Sequence, residues 1–303
     1  MSTPWSPDDL PDLTGRRALV TGAGSALGRE TALALAGRGA ELLLADHDLD
    51  ALGDAVRRVD AAGAARPVAV PLDLADLDSV RDAAAHARSV ALEGLDLLVL
   101  HDAGRERGAT TSDGEEVALV ARAWGPFLLV ARLHDLLGRV VSVVPPSYRL
   151  AREVSAELDE EGMLRRTGWG GPSEAALATL LLALELDARA RDAGAGLRSL
   201  AAVAGLDVSG PLGRAEQVRR GRGPSILDAA ARAVGQRGEV AHHPVLMAAT
   251  ADLPGSTVVG LGGALGLGTT ARIVNPPRTA RDRELRARLW ALAVEHAGAE
   301  PWA

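Results

Sequence analysis

The chain contains no lysine: all 33 residues counted as Lys+Arg are arginine. It has no cysteine either, which excludes disulfides, thiolate zinc sites and cysteine nucleophiles. Aromatic residues make up 2%, with one Phe (Phe127), one Tyr (Tyr148) and five Trp, too few for a surface that stacks single-stranded nucleic acid. The net charge of −7 argues against nucleic acid and anionic membranes as partners. No apolar run approaches the roughly 18 residues of a membrane span. The start, MSTPWSPDDLPDL, lacks the apolar stretch of a signal peptide, so a cytoplasmic protein is expected. His242-His243 has no third ligand at metal spacing, and no metal site is read.

What the chain does have, over 303 residues that are 47% apolar, is enough material for one large α/β domain. Short apolar runs alternate with amphipathic stretches, the signature of βαβ units and a parallel sheet. Strands are expected at Arg17–Thr21, Glu41–Ala45, Val68–Pro71, Leu95–Leu100, Arg139–Val144, Leu197–Val203 and Thr257–Val259. Helices are expected at about Val117–Leu137, Pro172–Ala193, Ile226–Val234, Glu239–Thr250 and Asp282–His296. With no repeat and no dividing linker, residues 1–303 read as a single Rossmann-type doubly wound domain of about seven strands. Residues 145–171 form a charged variable loop or lid, and 278–303 a C-terminal helix and tail. The Arg-rich stretches at 219–222 and 281–288 read as solvated helix faces.

Between the first strand and its helix lies Thr21-Gly22-Ala23-Gly24-Ser25-Ala26-Leu27-Gly28. Backbone amides and the helix dipole there suit a pyrophosphate. Asp46 ends the second strand, where a carboxylate accepts hydrogen bonds from ribose hydroxyls and repels a 2′-phosphate, favouring NAD over NADP. Asp73-Leu74 follows the third strand. Either aspartate alone also suits a helix N-cap.

The glycine-rich turn resembles the TGxxxGxG turn of short-chain dehydrogenases/reductases, with Ala26 at the middle glycine. PDLTGRRALVTGA, PLDLADLDSVRDAA, Trp124-Gly125-Pro126-Phe127 and RDRELRARLWAL are similar to the retinol-dehydrogenase-like branch. The resemblance implies an NAD cofactor held by Gly22, Gly24, Ser25, Leu27, Gly28, Asp46, Asp73, Leu74, Ala103 and Gly104. It also implies an Asn, Ser, Tyr and Lys tetrad for hydride transfer, in which the lysine lowers the phenol pKa and binds ribose. A guanidinium is not a substitute for that ammonium.

On this resemblance the Asn position reads Arg122 and the Ser position Pro145. The Tyr and Lys positions read Gly170 and Glu174, or Trp169 and Ser173 in the neighbouring register. The Asn-Asn-Ala-Gly segment reads His101-Asp102-Ala103-Gly104. Either cofactor binds without the usual redox chemistry, or none binds. Arg122 and Glu174 are expected to form an ion pair filling the cleft, or else an anion site with Glu174 as base. Tyr148 and His101 are the other candidate replacements, against packing and strand-end capping. The leading expectation is a pseudoenzyme serving as a partner or regulatory subunit. The alternatives are a repurposed enzyme (cyclisation, dehydration or isomerisation in secondary metabolism) and an atypical oxidoreductase. Similar proteins pair through the helices near 117–137 and 172–193, so a homodimer, or a heteromer with an active relative, is expected.

Overall fold

A computed structural model of the chain describes residues 5–62, 65–102, 117–151, 172–205, 238–263 and 268–302. Its sheet has eight strands: β1 (Arg17–Thr21), β2 (Glu41–Asp46), β3 (Val68–Pro71), β4 (Leu95–Leu100), β5 (Leu137–Val144), β6 (Arg198–Val203), β7 (Val258–Leu261) and β8 (Ala271–Ile273). They lie in the order β3-β2-β1-β4-β5-β6-β7-β8, and every pairing is parallel except β7 with β8. The expected count of about seven omitted β8, whose three residues are too few to show a period. The order reverses between β1 and β4, and ligands of open parallel sheets bind at such a switch point.

Both faces are covered, so the strands are apolar on both sides. On β2, Leu42 and Leu44 enter one core while Leu43 and Ala45 enter the other. The helices α1 (Ala26–Ala36) and α2 (Leu49–Ala61) lie over the first core. The opposite face carries α3 (Leu77–Val90), α4 (Val117–Leu119), α5 (Gly125–Leu133) and α6 (Pro172–Asp192). Two short helices, α7 (Gly238–Ala241) and α8 (His243–Thr250), replace the expected helix at 239–250, and α8 joins the first core. Aspartates 48 and 76 cap α2 and α3 by accepting backbone N–H bonds in the first turn.

Residues 117–136 form one rod rather than the uniform helix expected to Leu137. A π-helical turn, Val120–Trp124, interrupts it, closed by the Gly125 N–H donating to the Val120 carbonyl. By length and composition the rod is apolar enough to cross a membrane, but 78% of its apolar window is buried inside the fold. It is a core helix.

A final helix, α9 (Arg283–Ala297), crosses α5 and α6 on the outside. Trp290 is 1% exposed, meets Phe127 edge-on at 4.7 Å and lies under the Arg189 guanidinium. Its indole N–H donates to Glu300 at 2.9 Å. Trp124 stacks on His296 at 5.0 Å. The C-terminal helix thus packs on α5 and α6, the helices expected to meet a partner subunit.

Candidate functional site

The glycine-rich turn has the geometry of an anion cradle. Ser25 caps α1, accepting from the Gly28 N–H at 3.0 Å. The amides of Ala26 and Leu27 in that first turn have no intrahelical acceptor, which suits phosphate oxygens. Gly28 is required because a Cβ there would lie 2.1 Å from the Gly22 carbonyl oxygen. Gly22 has φ +62° and would meet His101 at 2.7 Å.

Beside this turn runs a narrow groove of about 260 Å³, lined in part by Asp46, His47, Asp73 and Leu74. The Asp46 side chain is only 1% exposed. It accepts from Gly24 N–H at 2.9 Å and Asp48 N–H at 3.0 Å, with His47 Nδ1 at 3.2 Å. A carboxylate offers about four lone-pair sites, and three of those of Asp46 face these groups. Asp73 braces its own turn by accepting from Ala75 N–H at 2.8 Å. The turn, Asp46 and Asp73 thus fit the adenosine end of a dinucleotide, with Asp46 also serving as an internal brace. Ala103 and Gly104 lie outside the described residues.

His101 and Asp102 stand at the switch point and line both this groove and a larger cavity beyond. The Thr21 hydroxyl bridges the ends of β1 and β4, donating to His101 O at 2.8 Å and accepting from His101 N–H at 2.9 Å. Both bonds use the His101 backbone. The imidazole packs on the turn, with Nδ1 3.3 Å from Ser25 Oγ. Burial, aided by the Arg122 charge, pushes the His101 pKa below its ordinary value against the opposing pull of Asp102.

A histidine with a depressed folded pKa binds protons more readily in the unfolded chain. Its contribution to stability is therefore complete above the unfolded pKa of about 6.5 and is lost as pH falls below it. Between pH 6.5 and 5, wild type is expected to lose up to about 1.4 kcal/mol per pH unit more than His101→Gln. Parallel urea-denaturation curves across that range would refute the burial of a neutral imidazole.

Arg122 leaves the π-helical turn toward Asp102, with Nε 3.1 Å from Oδ2 and side-chain exposures of 18% and 14%. Its carbonyl, displaced from regular helical pairing, accepts from Thr179 Oγ1 on α6 at 3.0 Å. The expected partner was Glu174. The ion pair instead forms with Asp102, because the π turn and β4 bring those two side chains together at the mouth of the cavity. Glu174 sits in the first turn of α6 and does not line the cavity.

Pro145 does line the mouth. Tyr148 does not: it is 4% exposed in the core, and its hydroxyl accepts from Arg149 Nε at 3.2 Å. Tyr148 sits in the short 3-10 turn Pro146–Leu150, with its ring among the core residues. Gly170 and Trp169 lie outside the described residues, as do the helix expected at 226–234 and the loop from 152 to 171. Among the described residues no cluster of three metal-ligating side chains occurs. Sequence reasoning missed Thr179 and did not pair Asp102 with Arg122; the only signal was a carboxylate at a strand end.

The cavity extends from this mouth between the sheet and α5/α6 and spans about 1050 Å³ out to its opening. Its walls are mostly apolar, and Trp290 stands at its far side.

The family described as short chain dehydrogenase matches residues 16–123. A probable oxidoreductase of Streptomyces lividans is 42% identical over 129 residues, 42% of each chain. The polyprenol dehydrogenase of Mus musculus is 34% identical over 195 residues, 60% of this chain and 57% of that one. The matches thus cover less than two thirds of these relatives' lengths. A solved structure of an uncharacterised protein from Mycobacterium paratuberculosis is 31% identical, covering 98% of this chain and 99% of its own, with a TM-score of 0.76. Together with the strand order, the glycine-rich turn and the two aspartates at their strand ends, these likenesses place the chain in the short-chain dehydrogenase/reductase superfamily.

Proposed function

We propose that this chain is a non-redox member of its oxidoreductase superfamily, which holds an NAD-type nucleotide by the adenosine end and acts as a partner or regulatory subunit. One observation carries this reading. The only tyrosine is buried away from the cavity, and no lysine exists in the chain to lower its pKa or bind a nicotinamide ribose. A phenol with pKa about 10 takes part in proton transfer at neutral pH only beside a cation that stabilises its anion. The sole asparagine, Asn275, follows β8 at the far edge of the sheet.

Where NAD binds, the Ala26 and Leu27 amides would hold the pyrophosphate and Asp46 a ribose hydroxyl. The cofactor supplies hydride chemistry in this superfamily. Here, the Arg122–Asp102 pair would fill the region beyond it. Asp46 disfavours a 2′-phosphate, so NAD rather than NADP is the matching nucleotide.

A second reading, a repurposed enzyme, is favoured by the open cavity beside Arg122 and Asp102. Cyclisation, dehydration or isomerisation needs positioned charge rather than a hydride, and the ion pair would supply it.

Thermal-shift titration tests the proposal. NAD and ADP-ribose are expected to raise Tm equally, with NADP weaker. No shift from any nucleotide refutes the adenosine site. Substrate-dependent, stereospecific oxidation of NADH refutes the non-redox reading.

A further inference from the structure

The cavity behind the mouth contains one polar group that the fold leaves unused. Ser142 sits on β5 between Val140 and Val144, and the pleat directs it with them toward α5 and α6. It is 5% exposed and lines the cavity, and its hydroxyl makes no hydrogen bond with any described residue. Its Oγ keeps open surface into the cavity, so the hydroxyl is available to a group placed there.

The remaining walls narrow the chemistry of a partner. Phe127, Val130, Leu182 and Leu186 offer only apolar surface, and Trp290 stands at the far side. The charges at the mouth already neutralise each other, Arg122 against Asp102. The other hydroxyl in the wall, Thr179, shares its one proton between the Arg122 and Ala175 carbonyls. A ligand with a net charge would have to break the ion pair, whereas a neutral apolar body with one hydrogen-bonding group would not. At about 1050 Å³ including the opening, the space is of small-molecule size.

We propose that the cavity between β5 and helices α5 and α6 binds a neutral, largely apolar small molecule through a single hydroxyl or carbonyl hydrogen-bonded to Ser142. Ser142 and these apolar side chains lie below the mouth and do not line the groove beside the glycine-rich turn.

Two bromoalkanes test it, because bromine quenches an indole that it touches. 6-Bromohexan-1-ol and 1-bromohexane are titrated against the intact protein while tryptophan fluorescence and heat are recorded. Both are expected to quench saturably, and Trp290→Phe should remove most of that quenching while heat of binding persists. Ser142→Ala should weaken the alcohol roughly five-fold, the worth of one neutral hydrogen bond, and leave 1-bromohexane unchanged. Absence of saturable binding by wild type overturns the site. An equal response of the two ligands to Ser142→Ala overturns the role given to the hydroxyl.

Discussion

Gly125→Ala is expected to lower the free energy of unfolding by about 3 kcal/mol or more, measured by urea denaturation. A Cβ at this position would stand 2.0 Å from the Leu74 carbonyl oxygen. Both groups belong to backbone that cannot rotate away: Gly125 closes the π-helical turn, and Leu74 follows the Asp73 turn. Relief requires the rod to move away from the β3 end. Arg122, three residues earlier, would be carried with it and drawn from Asp102. The matched control is Gly53→Ala on α2, where the new methyl meets only the Arg57 guanidinium at 3.5 Å. That variant should be stabilised by roughly 0.5–1 kcal/mol, the ordinary helical gain over glycine. Equal behaviour of the two variants would refute the tight approach at Leu74.

Trp290→Ala should cost about 3–5 kcal/mol, the range for deleting a large buried aromatic side chain. The substitution also removes one of the two partners of Glu300, the other being Arg189, and the ring beneath Arg189. Its second effect is on association. The helices α5 and α6, expected to meet another subunit, are packed on by α9, with Trp290 at the centre of the contact. Loosening α9 should expose apolar surface of α5 and α6, and light scattering should then show concentration-dependent self-association beyond that of wild type at the same concentration. A variant that is destabilised yet remains the same size as wild type would mean that α9 stays docked without its tryptophan.

The fold was legible because its signals are local and repeated. Strands such as LDLLVL at 95–100 are short and continuously apolar, and β1, β2 and β3 are each followed by a helix with an identifiable cap. The glycine-rich turn was legible for the same reason: steric need and phosphate binding both select glycine at Gly22 and Gly28. The candidate site was less so. That Arg122 faces the cleft was anticipated, but its partner depends on helical phase, and one residue of π geometry redirects the side chain toward Asp102. Tyr148 was a candidate because it follows β5 closely, yet the tight turn at 146–150 buries it. Ser142 gave no signal at all, since a serine in a buried strand differs from its neighbours only in what it fails to bond.

The π-helical turn has a consequence for comparing this chain with its relatives. A helix with one residue added to a single turn rotates everything before the addition by about 100° relative to everything after it. Residues on the two sides of Val120–Trp124 therefore belong to different angular registers. An ungapped alignment anchored on Gly125-Pro126-Phe127 assigns α4 to the wrong stripe of a relative that has a plain α-helix here. At the mouth, residue type and helix phase are therefore separate variables, and both set where Arg122 points. Removing one residue from the turn would reverse the second while leaving the first in place.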